Sequence, residues 1–551
     1  MMLKSGILLA ALALFSCTKT TETSNDRSAQ SEDSPRIVNF VNFIRQSEPR
    51  SDDPDIGEKL YETVVQQISQ LNQYKLPGTF LIQYDALINP KYQELLKKEL
   101  GTDSEIGAWW EITQPHVEEA GLKWRGRFSW DWHADVGFAT GYTPEEREKL
   151  VDVYMEKFKS VFGKYPVSVA SWFIDAHTLG YLYDKYHIVA SANCKDQVGT
   201  DGYTLWGGYW NQAYYPSRKN AYMPAQNASE QIPVPIFRML GSDPIYQYEH
   251  GLGNSAQGVV TLEPASGEGG HKREWVEWFF KTIFEEPSLE FNYVQAGQEN
   301  SFLWENMKSG LEIQVPILDS LRKQGKIRIE TLETSGRWFT KKYTVTPTTA
   351  VTALTDYKNL GNKTVWFNSR YYRANLMWEQ DKFRFRDIHL FDERFTSDYL
   401  TKAGKSTQVI YTTLPIVDGF SWSQRAHQAG LRLVDGDGSY SEIGSPTVTE
   451  EAGQLKVTFA TVSGNEFVLT FFEDRFEIDG PENDNWSLVL DTAPGTKLPF
   501  HQIEEQELKA SLKGFEYEIA CSKGKISKNG SAGFRLSPSE GTIVVDCSKR
   551  L

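Results

Sequence analysis

The sequence predicts an α/β chain: a (β/α)-barrel over residues 36–344, followed by a C-terminal all-β, sandwich-like domain over 345–551. Three observations carry this expectation. Before residue 345, strand-length apolar runs alternate with amphipathic helical stretches. After it the texture changes to short alternating strands separated by Gly- and Asp-rich turns. Acids and histidines collect just beyond the early apolar runs, where a parallel barrel places its chemistry.

Ile37 to Phe43 reads as the first strand, Ile56 to Tyr74 as an amphipathic helix, and Thr79 to Tyr84 as the second strand. A helix from Pro90 to Leu100 leads to a third strand, Glu105 to Trp110. Thr143 is placed to cap the next helix, with Pro144 in its first turn, Glu145 and Glu146 favourable to the dipole, and Gly163 to stop it after Phe162. Ser168 to Ile174 and Ile188 to Ala192 read as further strands. A long Gly-, Tyr- and Trp-rich insertion, 195–290, precedes the strand Phe291 to Ala296, a helix from about Leu311 to Gln324 and the strand Ile327 to Glu330. Beyond 345, runs such as Thr364 to Phe367, Leu455 to Phe459 and Phe467 to Phe472 alternate as half-buried strands do.

At the N-terminus, Lys4 precedes the uninterrupted apolar stretch Ile7 to Phe15, long enough for a signal-peptide core and too short to span a bilayer. Leu14-Phe15-Ser16-Cys17 resembles a bacterial lipobox. That resemblance implies a lipoprotein signal over 1–17, with Cys17 lipidated as the mature N-terminus. Residues 18–35 are polar and suit a flexible tether. The expected location is the bacterial cell envelope, lipid-anchored at the outer membrane or the periplasmic face.

Aromatics make up 13% of the chain, with 16 Trp and 26 Tyr in all and the excess concentrated between residues 109 and 215, as a platform for stacking on sugar rings requires. The net charge of -15, with no basic patch to offset it, argues against nucleic acid as a partner. Cys521 and Cys547 follow strand-like runs and could pair in an oxidising compartment, whereas Cys194 reads as a buried thiol.

Two tripeptides, Asp131-Trp132-His133 and Asp175-Ala176-His177, stand about one βα unit apart, each beyond an apolar run. In extended chain, positions i and i+2 share a face, so each would aim an acid and an imidazole into one space. With Glu48, Asp85, Glu111, Glu299 and Glu333 they suggest an acidic ring with two histidines and aromatic walls. Glycoside hydrolysis needs one ionised and one protonated carboxyl. Asp175 is the first choice for nucleophile or base, Glu299 for acid, and Asp131 the reserve for either; Asp175 could instead cap the helix that follows it. Glu48, Trp110, Glu111, Trp130, His133, Trp172, His177, Gln298 and Asn300 are the candidate sugar-binding residues. No cofactor is required, although a divalent metal on Asp131, His133, Asp175 and His177 is the competing reading. Tyr371 to Asn375 and Arg384 to His389 mix aromatics with Arg; they would hold an interface or bind an acidic sugar.

Lys75 to Ile82, Glu105-Ile106-Gly107 and Tyr165 to Val169 resemble strand starts of the distorted (β/α)7-barrel group that includes polysaccharide deacetylases and several glycoside hydrolase families. The layout of barrel plus β-domain is similar to that of bacterial lipoproteins of unknown function. The resemblance implies a membrane-anchored, glycan-degrading enzyme, most simply a glycoside hydrolase acting on an oligo- or polysaccharide. A carbohydrate-binding surface lipoprotein without turnover, and a metal-dependent carbohydrate hydrolase or deacetylase, are the alternatives. Against a deacetylase, strand one ends Arg45-Gln46-Ser47-Glu48 and Ala108-Trp109-Trp110-Glu111 stands where its histidines would be.

Overall fold

The computed structural model describes residues 34–550 except 255, 452, 484, 531 and 532. The signal segment, Cys17 and the tether up to residue 33 lie outside the described residues. Strands β1 (Arg36–Ile44), β2 (Thr79–Ile82), β3 (Glu105–Trp109), β4 (Ser168–Ala170) and β5 (Ala190–Asn193) pair in parallel in that order. The chain then forms β6 (Gln197–Thr200), β7 (Tyr203–Trp206) and β8 (Ala213–Tyr214) before β9 (Ile236–Arg238) joins the parallel sheet beside β5. On the far side of β1 lies β10 (Asn292–Ala296), parallel to it, while the short β11 (Arg328–Ile329) pairs in parallel with the start of β1 on the edge that β2 takes further along.

β9 carries the short β8 antiparallel on its outer edge, and this margin of the sheet is joined to β10 by side chains. Gln295 Oε1 accepts from the Leu240 N–H at 3.1 Å, and Gln212 accepts from the Tyr293 N–H while donating to the Asn292 side chain. The sheet is thereby a nearly closed barrel. The stretch 195–290, expected as an insertion, therefore supplies a barrel strand. At three residues, behind Pro233 and Pro235, β9 is too short to show as a strand-length run.

Side-chain alternation along these strands separates two apolar layers. Ile37, Val41, Phe43, Leu81, Trp109 and Ala170 point into the barrel. Val38, Phe40, Ile44, Phe80, Ile82 and Trp110 face the surrounding helices. Each such fully buried side chain contributes about 1.5–3 kcal/mol of hydrophobic stabilisation. The helices are α1 (Ile56–Tyr74), α2 (Tyr84–Ile88), α3 (Pro90–Glu99), α4 (Gln114–Glu119), α5 (Pro144–Phe162), α6 (Ala176–Tyr186), α7 (Arg273–Glu285), α8 (Trp304–Lys323) and α9 (Leu332–Lys342). At the start of α5, Thr143 and Glu146 form a full capping box, and Gly163 ends the helix in the left-handed region. Among the described residues no helix is long and apolar enough to cross a membrane.

From Thr349 onward the structure is β-rich. Strands β12 (Thr349–Ala353), β13 (Lys363–Asn368), β14 (Tyr372–Glu379) and β15 (Lys382–Leu390) form an antiparallel meander, which β17 (Leu414–Asp418) and β18 (Gly430–Asp435) extend from β15. A further antiparallel sheet runs from an edge strand Thr447–Glu451 through the strand Thr542–Asp546 to the opposite edge strand Phe500–Ile503. Aromatic pairs such as Phe367–Phe471, Phe385–Phe476 and Trp378–Phe459 join the two sheets. One strand of this region departs from its neighbours: β16 (Val409–Thr412) pairs in parallel with β7.

Cys521 and Cys547 are free and buried, which corrects the expected disulfide. Cys521 lies opposite Val545, and its Sγ donates to the Lys523 carbonyl at 3.0 Å. Cys194 is a buried thiol, as expected, with burial pushing its pKa up to about 12.

Candidate active site at the barrel mouth

Inward-facing parity continues past the strand ends and assembles the site. Phe43, Leu81 and Trp109 point inward, and two residues beyond each stand Arg45, Gln83 and Glu111. Arg45 is buried and donates through Nε to Glu111 Oε2 at 2.8 Å and through Nη2 to Glu111 Oε1. Gln83 donates to Glu111 Oε2 at 2.7 Å, so both oxygens of this fully buried carboxylate are engaged. The other edge of the guanidinium, Nη1, stands 3.0 Å from Glu299 Oε2. Trp130 lies across the guanidinium, its ring centroid 4.2 Å from Cζ, which adds a cation–π contact.

Glu299 arrives here because β10 turns over the end of β1 at Gly297. A Cβ at Gly297, whose φ is +87°, would stand 2.5 Å from the Val41 carbonyl. Only glycine permits that approach. The neighbours of Glu299 then fix the pair. Asn300 accepts from the Arg45 N–H at 2.9 Å and donates to the Arg45 carbonyl at 2.7 Å, while Gln298 accepts from the Glu299 N–H and donates to Glu263. Both amides were expected to bind sugar hydroxyls. Instead they are fully buried and committed to backbone and to Glu263, and so act as positioning residues.

The carboxyl groups at the mouth are electrostatically unequal. Burial, with Glu111 reinforcing it and Arg45 opposing it, pushes Glu299 up to about 7. Burial acts the same way on Asp85, also held at about 7. Glu48 is 8% exposed, and there burial is outweighed by hydrogen bonds from Arg50 Nε at 2.8 Å and Nη2 at 3.0 Å, so its carboxyl lies below the usual range. Arg50 faces the rings of both Trp130 and Trp132. The Trp130–His133 segment closes one side of the mouth, tied down by the Tyr203 hydroxyl on the Trp132 carbonyl at 2.7 Å.

The two Asp-x-His tripeptides do not converge. Asp175 caps α6: Oδ1 accepts from the Thr178 N–H, Oδ2 from the Thr178 hydroxyl, and Arg147 Nη1 lies 2.8 Å away with both side chains fully buried. Asp175 is taken up by the helix cap and by Arg147, away from the cluster of Arg45, Glu111 and Glu299, which removes it from the catalytic choices. His177 is inside α6, where successive residues rotate by about 100°, so it points away from Asp175 and contacts Glu148 on the outer surface. Asp131 lies on the rim. Burial there is outweighed by the hydrogen bonds from Arg127, which hold its carboxyl at about 2, too acidic for a proton donor. His133 is half-buried, with its backbone N–H on Asp131 Oδ1. The expected four-residue metal set is therefore dispersed.

Other expected walls move too. Trp110 faces α5, in edge contact with Tyr154. Trp172, two residues beyond inward-facing Ala170, is half-buried and packs on Phe43 and Trp109. Glu333 belongs to the opposite barrel end, where its N–H donates to Glu105 Oε2. A deacetylase-type metal does not fit this mouth either, because the cation between its carboxylates is the Arg45 guanidinium. Arg45 itself went unrecognised as a site residue; the signal for it was the parity of β1.

Two further features lie elsewhere. An open cavity of ≈ 550 Å³ is lined by residues between 249 and 254 and by 256–258 with Arg425 and Gln428, and it holds none of the mouth's carboxyl groups. Asp387, His389 and Asp418 form a buried cluster whose oxygen and nitrogen donors could coordinate a divalent metal.

No protein-family model matches the chain, and no curated protein matches it. Among solved structures, a candidate glycoside hydrolase/deacetylase from Parabacteroides distasonis is 16% identical, over 70% of this chain and 90% of that one, with a TM-score of 0.49. A candidate polysaccharide deacetylase from Mycobacterium smegmatis is 12% identical, over 56% of this chain and 93% of that one, with a TM-score of 0.33. These likenesses are remote, and the chemistry of the mouth has to follow from its own residues.

Proposed function

We propose that the chain is a glycan-degrading hydrolase, a glycosidase in which Glu299 is the general acid and Glu48 the ionised carboxylate that serves as base or nucleophile. The observation that carries this reading is the divergence of the two carboxyls around one buried arginine: Glu299 is held near neutrality and Glu48 below the ordinary range. Glu299 Oε1 accepts from the Ser301 hydroxyl, while Oε2 is buried without a hydrogen bond, so the transferable proton sits on Oε2. Glu111 is the weaker choice for the second carboxylate, since it is fully buried under Arg45 and Gln83, whereas Glu48 keeps some exposure and is held by the exposed Arg50. Arg45 and Glu111 then position the acid, and Trp130 and Trp132 supply an aromatic wall for a sugar ring.

A panel of oligo- and polysaccharides assayed for released reducing sugar tests this. Glu299→Gln and Glu48→Gln should each abolish release while glycan binding persists. Equal turnover by wild type and both variants would refute the assignment, and binding with no turnover by any of them would point to a carbohydrate-binding protein. Lipid attachment through Cys17 in the bacterial envelope belongs to the same proposal. It predicts labelling by palmitate in cells that Cys17→Ser removes.

A further inference from the structure

Arg373, Arg384 and Arg386, expected at an interface, are buried against residues of the 195–290 region: Arg373 contacts Asp196, and Arg384 and Arg386 both contact Glu249. Beside them lies a second, separate constellation. His389 on β15 is 1% exposed. Its Nδ1 lies 2.8 Å from Thr413 Oγ1, and Thr413 gives its only hydroxyl proton to the Gly207 carbonyl at 2.7 Å. The imidazole therefore donates from Nδ1 to Thr413, and in the neutral ring this leaves Nε2 as a lone pair.

Nε2 faces two carboxylates: it stands 2.9 Å from Asp387 Oδ1 and 3.8 Å from Asp418 Oδ2. The three atoms lie within 4.8 Å of one another, as ligands around a common centre do. Nearby, the buried Tyr248 hydroxyl is an electrostatic neighbour of both aspartates.

The surroundings hold each donor in place. Asp387 Oδ2 accepts from Arg373 Nε at 2.7 Å, Asp418 Oδ1 accepts from the N–H groups of Phe420 and Ser421, and Asp418 Oδ2 accepts from Trp206 Nε1. Gly207, with φ +84°, is the residue that allows the approach. A Cβ there would stand 2.1 Å from Thr413 Oγ1 and 2.3 Å from His389 Nδ1. Outer hydrogen bonds that orient a histidine and its carboxylates are what a metal centre requires.

We infer that Asp387 Oδ1, His389 Nε2 and Asp418 Oδ2 are ligands of one divalent metal ion, with the Tyr248 hydroxyl at hand as a fourth. One imidazole with hard oxygen donors suits zinc or manganese. The ligands are sealed from solvent, so the ion is structural: it fastens the Trp206–Gly207 end of β7 to β15 and β17. The rival occupant of Nε2 is a proton shared with the aspartates.

The test is elemental analysis of full-length protein expressed in medium supplemented with zinc and manganese. About one divalent ion per chain is expected, falling at least ~10-fold in Asp418→Asn. Fewer than about 0.1 ion per chain in the wild type, or undiminished metal in a folded Asp418→Asn, overturns the proposal. Should that variant fail to fold, X-ray absorption on the wild type decides the matter. A shell with one imidazole among oxygens supports the site; several imidazoles or sulfur refute it.

Discussion

Arg45 Nη1 lies 3.0 Å from Glu299 Oε2 without a hydrogen bond between them. The nitrogen is directed instead to Ser301 Oγ at 3.3 Å, and Ser301 in turn donates to Glu299 Oε1. A full charge thus sits beside Glu299 without binding the oxygen that would carry its proton. Proximity lowers the proton affinity only partly, and burial keeps it near neutrality.

The first consequence concerns pH and rate. With Glu299 as acid, kcat/KM on a cleaved glycan should fall on the alkaline side with an apparent pKa of about 7. The acid limb, set by Glu48, should lie below the ordinary glutamate range. In Glu299→Gln, kcat should drop about 10³-fold and the alkaline limb should vanish. An unchanged limb in that variant would show that another group is the acid.

Stability should carry the same signature with a definite sign. Glutamate in the unfolded chain titrates at about 4.3, below the folded value of about 7 for Glu299. Between these values the folded protein holds the extra proton. The contribution of Glu299 is therefore complete below pH 4 and is lost as pH rises through 7. Relative to wild type, Glu299→Gln should gain up to ~3 kcal/mol in unfolding free energy between pH 4 and pH 8, read from urea titrations at both. A difference independent of pH would contradict the shift.

Arg45→Met should be severe. It leaves Glu111, fully buried, facing only Gln83, and an abandoned buried charge costs about 3–5 kcal/mol. Adding Glu111→Gln should recover much of that loss, because no unpaired charge then remains. Chemical denaturation of the single and double variants checks both statements.

Asp175→Ala separates structure from chemistry. It removes the cap of α6 and the partner of Arg147, at about 3–5 kcal/mol. The protein that remains folded should turn over glycan within about threefold of wild type, since Asp175 does not reach the mouth. Loss of turnover at full folding would restore it as a catalytic candidate.

Cys194, Cys521 and Cys547 should be inert to a thiol reagent in the native state and react on unfolding. All three are buried, and burial pushes Cys521 up to about 11 and Cys194 to about 12. Protection of Cys521 and Cys547 that persists after unfolding without reductant would reveal a disulfide.

The barrel was legible because its helices are strongly periodic and well capped, as Thr143 and Gly163 illustrate. β9 was hidden by its brevity. At the site, Glu299, Glu48 and Glu111 were all selected as acids beyond strand ends; Glu111 and Glu299 lie on two edges of Arg45, and Glu48 is held by Arg50. Asp175 failed for a local reason: a helix begins directly after it, so the two-residue periodicity of a strand no longer applies to Asp175 and His177. Arg45 was passed over because an arginine at a strand end reads as a solvated charge until the partners that bury it are known. Those partners, Glu111, Gln83 and Glu299, come from three distant stretches of chain.

The parallel pairing of β16 with β7 has a consequence for synthesis on the ribosome. Tyr203 to Trp206 emerge early, but their partners, Val409 to Thr412, are made much later. The nascent chain must therefore carry an unpaired strand edge through that interval, and the barrel's outer elements cannot settle until the β-rich segment has been released. Contacts this distant in sequence slow folding and leave the exposed edge open to mispairing. Fragments ending before residue 409 should for that reason be more prone to aggregate than the full chain.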